Sequence, residues 1–153
     1  MFEIFSAVQC KEMDKHAIND MEVPGIILME NAAIRIFEEL RDKGESFLIL
    51  CGKGNNGGDA LALSRHLILA GKRVKVYIIS KDKNYSDDFK TNFNIVEKLI
   101  DKRGLLFIQS EDDIDENVIN DFNKNDIVVD GIFGVGLNKD LTGMFKKLIE
   151  YTN

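Results

Sequence analysis

A glycine-rich stretch that follows an apolar segment constrains this chain more than any other feature. Residues 50–60 read Leu-Cys-Gly-Lys-Gly-Asn-Asn-Gly-Gly-Asp-Ala, and they continue the apolar run 47–50. Such a run is typical of a strand buried on both faces of a parallel sheet. A loop with so little side-chain bulk lets backbone amides converge on an anion at the start of a helix. The stretch therefore predicts a strand, a phosphate-binding loop and a helix in succession.

The rest of the chain alternates helical and strand patterns. Ser6 and Gln9 have the spacing of a capping box before a helix that reaches Asp20, with Met13, Ala17 and Met21 on its apolar stripe. Two leading helices followed by alternating strands and helices predict a parallel sheet with helices on both faces. The other predicted elements are helices over 26–40, 61–70, 86–100, 118–122 and 142–149 and strands over 74–79, 105–108 and 127–129.

Composition excludes several classes of protein. The 153 residues carry a net charge of −6 without a dense run of lysine and arginine, which argues against a nucleic-acid partner. Cys10 and Cys51 form neither a disulfide framework nor a metal-ligand spacing. The apolar runs are shorter than the roughly 20 residues of a membrane span, and the N-terminus lacks the apolar segment of a signal peptide. We expect a cytoplasmic protein with no membrane partner.

The other residues that could take part in catalysis or metal binding are expected to have structural or surface roles. His16 and His66 lie on predicted helices without metal-type partners nearby in sequence, which favours structural or surface roles. Cys51 adjoins the glycine-rich stretch and is expected to pack as a small buried group. The acidic cluster over 111–116 is expected to form a solvated helix start and not a metal site.

The glycine-rich stretch also satisfies a known fingerprint. Residues 52–57 match G-x-G-x-x-G between a strand and a helix, as in dinucleotide-binding folds. An ordinary NAD-dependent dehydrogenase would place an acidic residue about 20 positions later. That position falls near Tyr77, and Asp82 comes later than ideal. A turn that only permits a tight joint between strand and helix is the structural alternative. Asp59, expected in the first helical turn, would either cap the helix or contact a ligand.

A second motif follows the last predicted strand. Asp130 ends that strand, and three glycines follow within the next six residues. The carboxylate could bind a cation, act as a base or pair with a backbone amide, and Lys139 could meet a phosphate or stay solvated. Because ligands of such folds bind beyond the carboxyl ends of the strands, both motifs are expected at one cleft.

Three motifs in this order resemble the YjeF N-terminal domain family, whose characterised members are NAD(P)H-hydrate epimerases. They are Met29–Ala32, Cys51–Asp59 and Asp130–Leu137, and the similarity runs from Ser6 to the end of the chain. The resemblance implies a single Rossmann-like domain over 1–153, a three-layer α/β sandwich with a mostly parallel sheet. It also implies a cofactor-repair isomerase that interconverts the R and S forms of hydrated NADH or NADPH. Its partner would be an NAD(P)H-hydrate dehydratase, either separate or C-terminal in the same protein.

The resemblance assigns roles to particular residues. A potassium ion would be bound by Asn56 and Asp130, and Asp130 is also the acid–base candidate. The glycines of the second motif would lie near phosphate, while the glycine-rich stretch contacts the hydrate. The full substrate-binding set is Asn55, Asn56, Gly57, Gly58, Asp59, Gly134, Val135, Gly136, Leu137, Asn138, Lys139 and Asp140.

The sequence departs from the family pattern at three points. Ala60 stands where glycine is frequent, and Lys139 stands where arginine is common, which keeps the charge but loses a bidentate fork. The family continues with an Asp-x-Pro-Ser-Gly-type segment that completes the site, whereas the only proline here is Pro24. We therefore expect a domain that is incomplete at its C-terminal end.

Two other functions stay open at this point. The same fold could serve as a non-catalytic nucleotide-binding or protein-interaction scaffold, and an ordinary dehydrogenase is the third hypothesis. Apolar residues on the leading helices, Ile26, Ile27 and Ile34, would suit a homodimer.

Overall fold

The computed structural model describes residues 5–134, 137 and 140–152. Six α-helices and four strands lie within these ranges. In chain order they are α1 (Ala7–Asn19), α2 (Gly25–Leu40), β1 (Ser46–Cys51), α3 (Asn55–Leu69), β2 (Arg73–Ile79), α4 (Asp87–Leu99), β3 (Leu105–Ile108), α5 (Glu116–Lys124), β4 (Ile127–Gly131) and α6 (Met144–Thr152).

The four strands form one parallel sheet in the order β3-β2-β1-β4. Leu50 in β1 is opposite Tyr77 of β2 on one side and Asp130 of β4 on the other. Every residue of β1 is buried, as the continuous apolar run predicts. The carboxyl ends of β1, β2 and β4 therefore open at one edge of the sheet, where the glycine-rich stretch begins.

Helices cover both faces of the sheet, which confirms the predicted three-layer α/β fold. Phe47 and Ile49 pack on one face with buried residues of α3 and α4, because alternate side chains of a strand point to opposite faces. Leu48 and Leu50 pack on the other face with residues of α5 and α6. Each large apolar side chain buried in these layers contributes about 1.5–3 kcal/mol of stabilisation.

Polar side chains set several of the helix starts. The Ser6–Gln9 capping box forms as predicted, and the Ser86 hydroxyl accepts the Phe89 N–H at the start of α4. Asp115 accepts the amides of the first turn of α5, so the acidic cluster is a helix start as expected.

Three helices begin two or more residues from their predicted starts, among them α5, which begins at Glu116 and not at 118. The helix α3 starts at Asn55, before the apolar pattern that begins at Leu61 and one turn before the first turn expected around Asp59, because residues 55–58 carry no apolar side chain to mark the boundary. The helix α6 starts at Met144, and Lys147 N–H donates to the Gly143 carbonyl oxygen, so Thr142 lies before the helix.

The apolar stripe predicted for α1 is wrong. Met13 and Met21 are 54% and 64% exposed, and none of the α1 residues is buried, because this helix lies at the margin of the domain. On α2, Ile27 is exposed as expected, but Ile26 packs against the buried cluster of Met29, Ala33 and Ala62, and Ile34 is half-buried.

Within the described ranges, no helix combines the length and the apolar character that a bilayer crossing requires.

Candidate functional site

A cavity of about 970 Å³ lies at the carboxyl edge of the sheet. Its walls come from the segments that follow β1, β2 and β4, together with two charged residues of α1, Lys11 and Asp14. Such an edge, where β1 leads to β2 on one side and β4 lies on the other, is where doubly wound α/β folds bind ligands. The described lining is 52–56, 59, 79–82, 132–134, 137, 140–142 and 145 with the two α1 residues.

Two glycines of the loop after β1 are required by the protein's own packing. A Cβ atom on Gly52 would lie 1.9 Å from the Ile132 carbonyl oxygen, and one on Gly57 would lie 1.8 Å from the Gly52 carbonyl oxygen. The Gly52 N–H also donates to the Gly131 carbonyl oxygen at 3.0 Å. These contacts hold the loop against β4, so this part of the fingerprint acts as a tight structural joint.

Gly54 has a different environment in the same loop. Among the described residues, no atom lies within 4 Å of the position that a Cβ would take there, and Gly54 is exposed on the cavity wall. It is the N-cap of α3 and has no side chain to occupy the helix end. The first amides of a helix lack intrahelical acceptors and favour an anion. The cavity therefore meets a helix N-terminus with open space in front of it.

Asn56 joins the two predicted loops. Its Nδ2 donates to the Phe133 carbonyl oxygen at 2.9 Å, across 77 positions of sequence. Asp130 Oδ1 accepts the Ile132 N–H at 2.9 Å, which is the backbone-amide pairing among its three predicted roles. Asp130 is exposed at the end of β4 but is not among the described residues that line the cavity. The remaining oxygens, Asn56 Oδ1 and Asp130 Oδ2, are of the donor type that a hard cation takes.

Asp59 is a cavity-lining carboxyl with a perturbed proton affinity. It is the fifth residue of α3, in the second turn, so it is not placed to cap the helix. Burial, with smaller contributions from the nearby charges of Asp14 and Asp88, raises the pKa of Asp59 to about 6. A carboxyl with this pKa exchanges protons close to neutral pH.

An ion pair bridges the segments after β1 and β2. Lys53 Nζ donates to both carboxylate oxygens of Asp82, at 2.9 and 2.7 Å. This contact, with a further hydrogen bond from the Asn84 N–H, holds the pKa of Asp82 below its ordinary value. Sequence spacing did not select Asp82, and its position just beyond the strand next to β1 is the signal that points to it.

A partly buried network of charged and polar side chains supports α3 behind the loop. Glu30 on α2 pairs with Arg65 and shares a hydrogen bond of 2.8 Å with His66 Nε2, both on α3. Arg65 Nε also donates to Asn92 Oδ1 on α4 at 2.9 Å. The motif at 29–32 thus links three helices, and His66 has the expected structural role.

Of the other predicted site residues, some line the cavity, one is buried, and some lie outside the described residues. Gly134, Leu137 and Asp140 line the cavity, whereas Gly58 is buried, and a Cβ added to it would lie 2.7 Å from Met29 Cε. Burial raises the pKa of the Cys51 thiol, as its packing role implies. Among the described residues no cluster of three or more histidine, cysteine or acidic side chains could hold a metal ion. Val135, Gly136, Asn138 and Lys139 lie outside the described residues.

A family model and the sequences of several relatives match this chain. The sequence model of the YjeF-related protein N-terminus family matches residues 25–153. An NAD(P)H-hydrate epimerase of Anaerococcus prevotii is 36% identical over 146 residues, which cover 94% of this chain and 65% of the relative. A second one, from Rhodopirellula baltica, is also 36% identical over 146 residues and is covered over 57% of its length. The chain thus spans less than two thirds of either epimerase.

A longer relative and a solved structure extend the comparison. A bifunctional NAD(P)H-hydrate repair enzyme of Moorella thermoacetica is 33% identical over 156 residues, which cover 98% of this chain and 29% of the enzyme. The crystal structure of yeast ynu0 superposes with a TM-score of 0.77 at 24% identity, covering 98% of this chain and 64% of the yeast chain. At that identity the superposition establishes the shared fold.

Proposed function

The chain belongs to the YjeF-related protein N-terminus family, and from that premise we propose that it acts as an NAD(P)H-hydrate epimerase domain. It would interconvert the R and S forms of hydrated NADH and NADPH and so serve nicotinamide-cofactor repair. The cavity carries this proposal, because the loops after β1 and β4 converge on it and its volume of about 970 Å³ suits a dinucleotide.

We place the charged part of the substrate at the glycine loop, where the resemblance implies the hydrate, and not at the glycines of the second motif. Gly54 leaves the start of α3 open, so its first amides can donate to a diphosphate without a competing side chain. Asn55 and Asn56 add amide groups beside that end of the cavity. The substrate-binding set predicted from the sequence stays as proposed, with Gly57 and Gly58 acting by shaping the loop.

Epimerisation requires proton transfer at the hydrated ring carbon. The bond from that carbon to its hydroxyl oxygen must break and re-form on the other face, so a proton is given to the departing oxygen and taken from incoming water. Asp59 suits the first transfer, because it lines the cavity and its pKa of about 6 allows it to carry a proton near neutral pH. Asp130 stays a proposed acid–base group, and its substitution tests it directly.

We propose a potassium ion at Asn56 and Asp130. Their side-chain oxygens are donors of the right type, and Asn56 lies at the start of α3, just after β1, while Asp130 lies near the end of the neighbouring strand β4. When bound, the ion would neutralise the Asp130 carboxylate. The Asn56 bond to the Phe133 carbonyl oxygen links the two segments, and the Asp130 bond to the Ile132 N–H fixes the turn after β4 locally.

The partners follow from the chemistry. An epimerase of this kind would feed an NAD(P)H-hydrate dehydratase, and the relative named as a bifunctional repair enzyme supports that pairing. A cytoplasmic location and a homodimer through the exposed apolar side chains of α1 and α2 are further proposals. The single domain over 1–153 stays a prediction.

A coupled assay tests the function. A dehydratase is mixed with racemic NADPH hydrate until its usable epimer is exhausted, and the protein is then added. Renewed NADPH formation is the expected result, and Asp130→Ala should greatly reduce it. Near-normal turnover by that variant would remove Asp130 from the mechanism.

Two further readouts separate the alternatives. Titration calorimetry with NADPH that shows binding, in a protein that does not accelerate the assay, would support the non-catalytic scaffold. Hydride transfer with alcohol or hydroxy-acid substrates would support the dehydrogenase.

A further inference from the structure

The ion pair of Lys53 and Asp82 is a feature of the cavity wall that the proposed chemistry does not use. Both residues line the cavity, Lys53 from the glycine loop and Asp82 from the segment after β2. The side chains are 46% and 55% exposed, and an ion pair this open to solvent contributes little to stability. The Asp82 carboxylate is therefore accessible to a ligand in the cavity while it stays paired with Lys53.

The fold places Asp82 where dinucleotides are recognised. In a sheet with the order β3-β2-β1-β4, a dinucleotide lies across the ends of the strands with its phosphates at the loop after β1. An acidic residue just after β2 then hydrogen-bonds the ribose next to the adenine. Asp82 is three residues beyond the end of β2, within this zone.

The segment after β2 turns back toward the glycine loop. An acidic residue later than the usual position, about 20 residues after the fingerprint, can therefore still lie at the cavity wall. The Ser86 N–H donates to the Lys53 carbonyl oxygen at 3.3 Å, and the Asn84 N–H donates to Asp82 Oδ1 at 2.9 Å. The Ser80 hydroxyl hydrogen-bonds the Asp82 carbonyl oxygen. Through these bonds the later position returns to the cavity wall with its carboxylate already oriented.

We infer that Asp82 distinguishes the two cofactor hydrates by accepting a hydrogen bond from the 2′-hydroxyl of the adenosine ribose and disfavouring a 2′-phosphate there. The identity of the substrate in this inference rests on the proposed function. The neighbouring cations do not reverse the preference, because Lys53 is already engaged by Asp82. Lys11 and Lys81 are the other lysines among the described residues that line the cavity, and both are exposed. The site therefore favours hydrated NADH over hydrated NADPH.

Two probes without a nicotinamide ring test this inference apart from epimerisation. ADP-ribose and its 2′-phosphorylated form are titrated calorimetrically into the wild-type protein, Asp82→Asn and the double variant Asp82→Asn with Lys53→Ala. We expect the wild type to bind ADP-ribose about tenfold more tightly than the 2′-phosphorylated form. Asp82→Asn should remove that preference, because the carboxylate is lost and Lys53 is released to meet the phosphate. The double variant should lose the affinity for the 2′-phosphate that the single variant gained.

A matched control separates a local contact from a change in net charge. Asp87→Asn removes one exposed carboxylate that pairs with Lys90 and does not line the cavity, so it should leave the ratio of the two affinities unchanged. A wild-type preference for the 2′-phosphate, an unchanged ratio in Asp82→Asn, an equal change in Asp87→Asn or no binding of either probe would overturn the inference. Retained discrimination in a protein without epimerase activity would instead count against the proposed function alone.

Discussion

The buried and the exposed positions of residues 52–58 differ in what an added side chain would meet. At Gly52 and Gly57 a Cβ atom would overlap a backbone oxygen, whereas at Gly54 it would project into open space on the cavity wall. The first two positions are glycine because the loop packs against itself and β4. At Gly54 an added Cβ would meet none of the described atoms, so packing does not require glycine there, and the open position is where we propose that an anion binds.

The charged pairs around the loop show the same contrast. Behind it, Arg65 is only 15% exposed in its pairing with Glu30, between helices that pack together. In front of it, Lys53 and Asp82 pair in solvent at the cavity wall. The partly buried contacts thus fix the helix behind the loop, the exposed pair lies where we propose that a ligand binds, and substitutions can separate these two roles.

Gly57→Ala should have the largest effect on this contrast. The new Cβ would lie 1.8 Å from the Gly52 carbonyl oxygen, so the backbone must move. We expect the free energy of unfolding to fall by about 3 kcal/mol or more, measured by urea denaturation. A loss below about 1 kcal/mol would show that the loop relaxes without strain and that its glycines are not packing residues.

Glu30→Ala should be next in size. Removing this carboxylate leaves the mostly buried Arg65 without its partner, and His66 loses its hydrogen bond as well. We expect a loss of about 2 kcal/mol in the free energy of unfolding. The control is Glu38→Ala, which breaks an exposed pair with Arg35 on the same helix and should cause no measurable change. Equal effects of the two variants would contradict the contrast between buried and exposed pairs.

Asp59→Asn should have a smaller effect that depends on pH. Burial raises the pKa of Asp59 in the folded protein to about 6, above its value in the unfolded chain. The folded protein is therefore most stable below about pH 4, where Asp59 is protonated in both states, and it loses stability as the pH rises through 6 and the buried carboxyl ionises. The asparagine variant avoids that loss. We expect it to match the wild type at pH 4 and to exceed it by about 1 kcal/mol at pH 7.5, a value reduced for solvent screening of a partly exposed group.

The measurement is the free energy of unfolding of both proteins from pH 4 to pH 8. A difference that stays constant over this range would show that the carboxyl titrates normally. The same variant should slow epimerisation in the coupled assay if Asp59 transfers a proton.

Gly54→Ala should have the smallest effect on stability. Its backbone angles suit any residue and a Cβ there meets none of the described atoms, but alanine is a poorer N-cap than glycine, so the free energy of unfolding should fall by about 0.5 kcal/mol. The affinity for ADP-ribose should fall, because the methyl group would stand before the open amides of α3. Unchanged affinity would indicate that the phosphates bind elsewhere on the cavity wall.

Several parts of the site were predictable because they depend on local pattern. The apolar run 47–50 and the glycines after it predicted the buried central strand, the loop and the following helix. Asp130 was predicted at the end of its strand, next to a glycine-rich turn, and it lies there. In each case the signal is contained within about ten neighbouring residues, where chain geometry and burial are tightly coupled.

Other parts were not predictable because their partners are distant in the sequence. Lys11 and Asp14 of α1 line the cavity, whereas the large apolar residues of the same helix are exposed. The hydrophobic pattern of α1 therefore did not predict which side of the helix meets the rest of the domain. Asp82 reaches the loop only because the segment after β2 folds back onto Lys53. The pKa of Asp59 depends on burial and on charges from two other helices, which no local pattern carries.

The sequence by itself determined the order of helices and strands, the parallel sheet and the two loops that meet at its carboxyl edge, because periodicity and glycine placement act locally. The tertiary structure alone decided which glycines of the loop are required by packing and which one has room for a side chain on the cavity wall. It also decided which carboxylates are buried or paired, because those properties depend on distances between segments far apart in the chain.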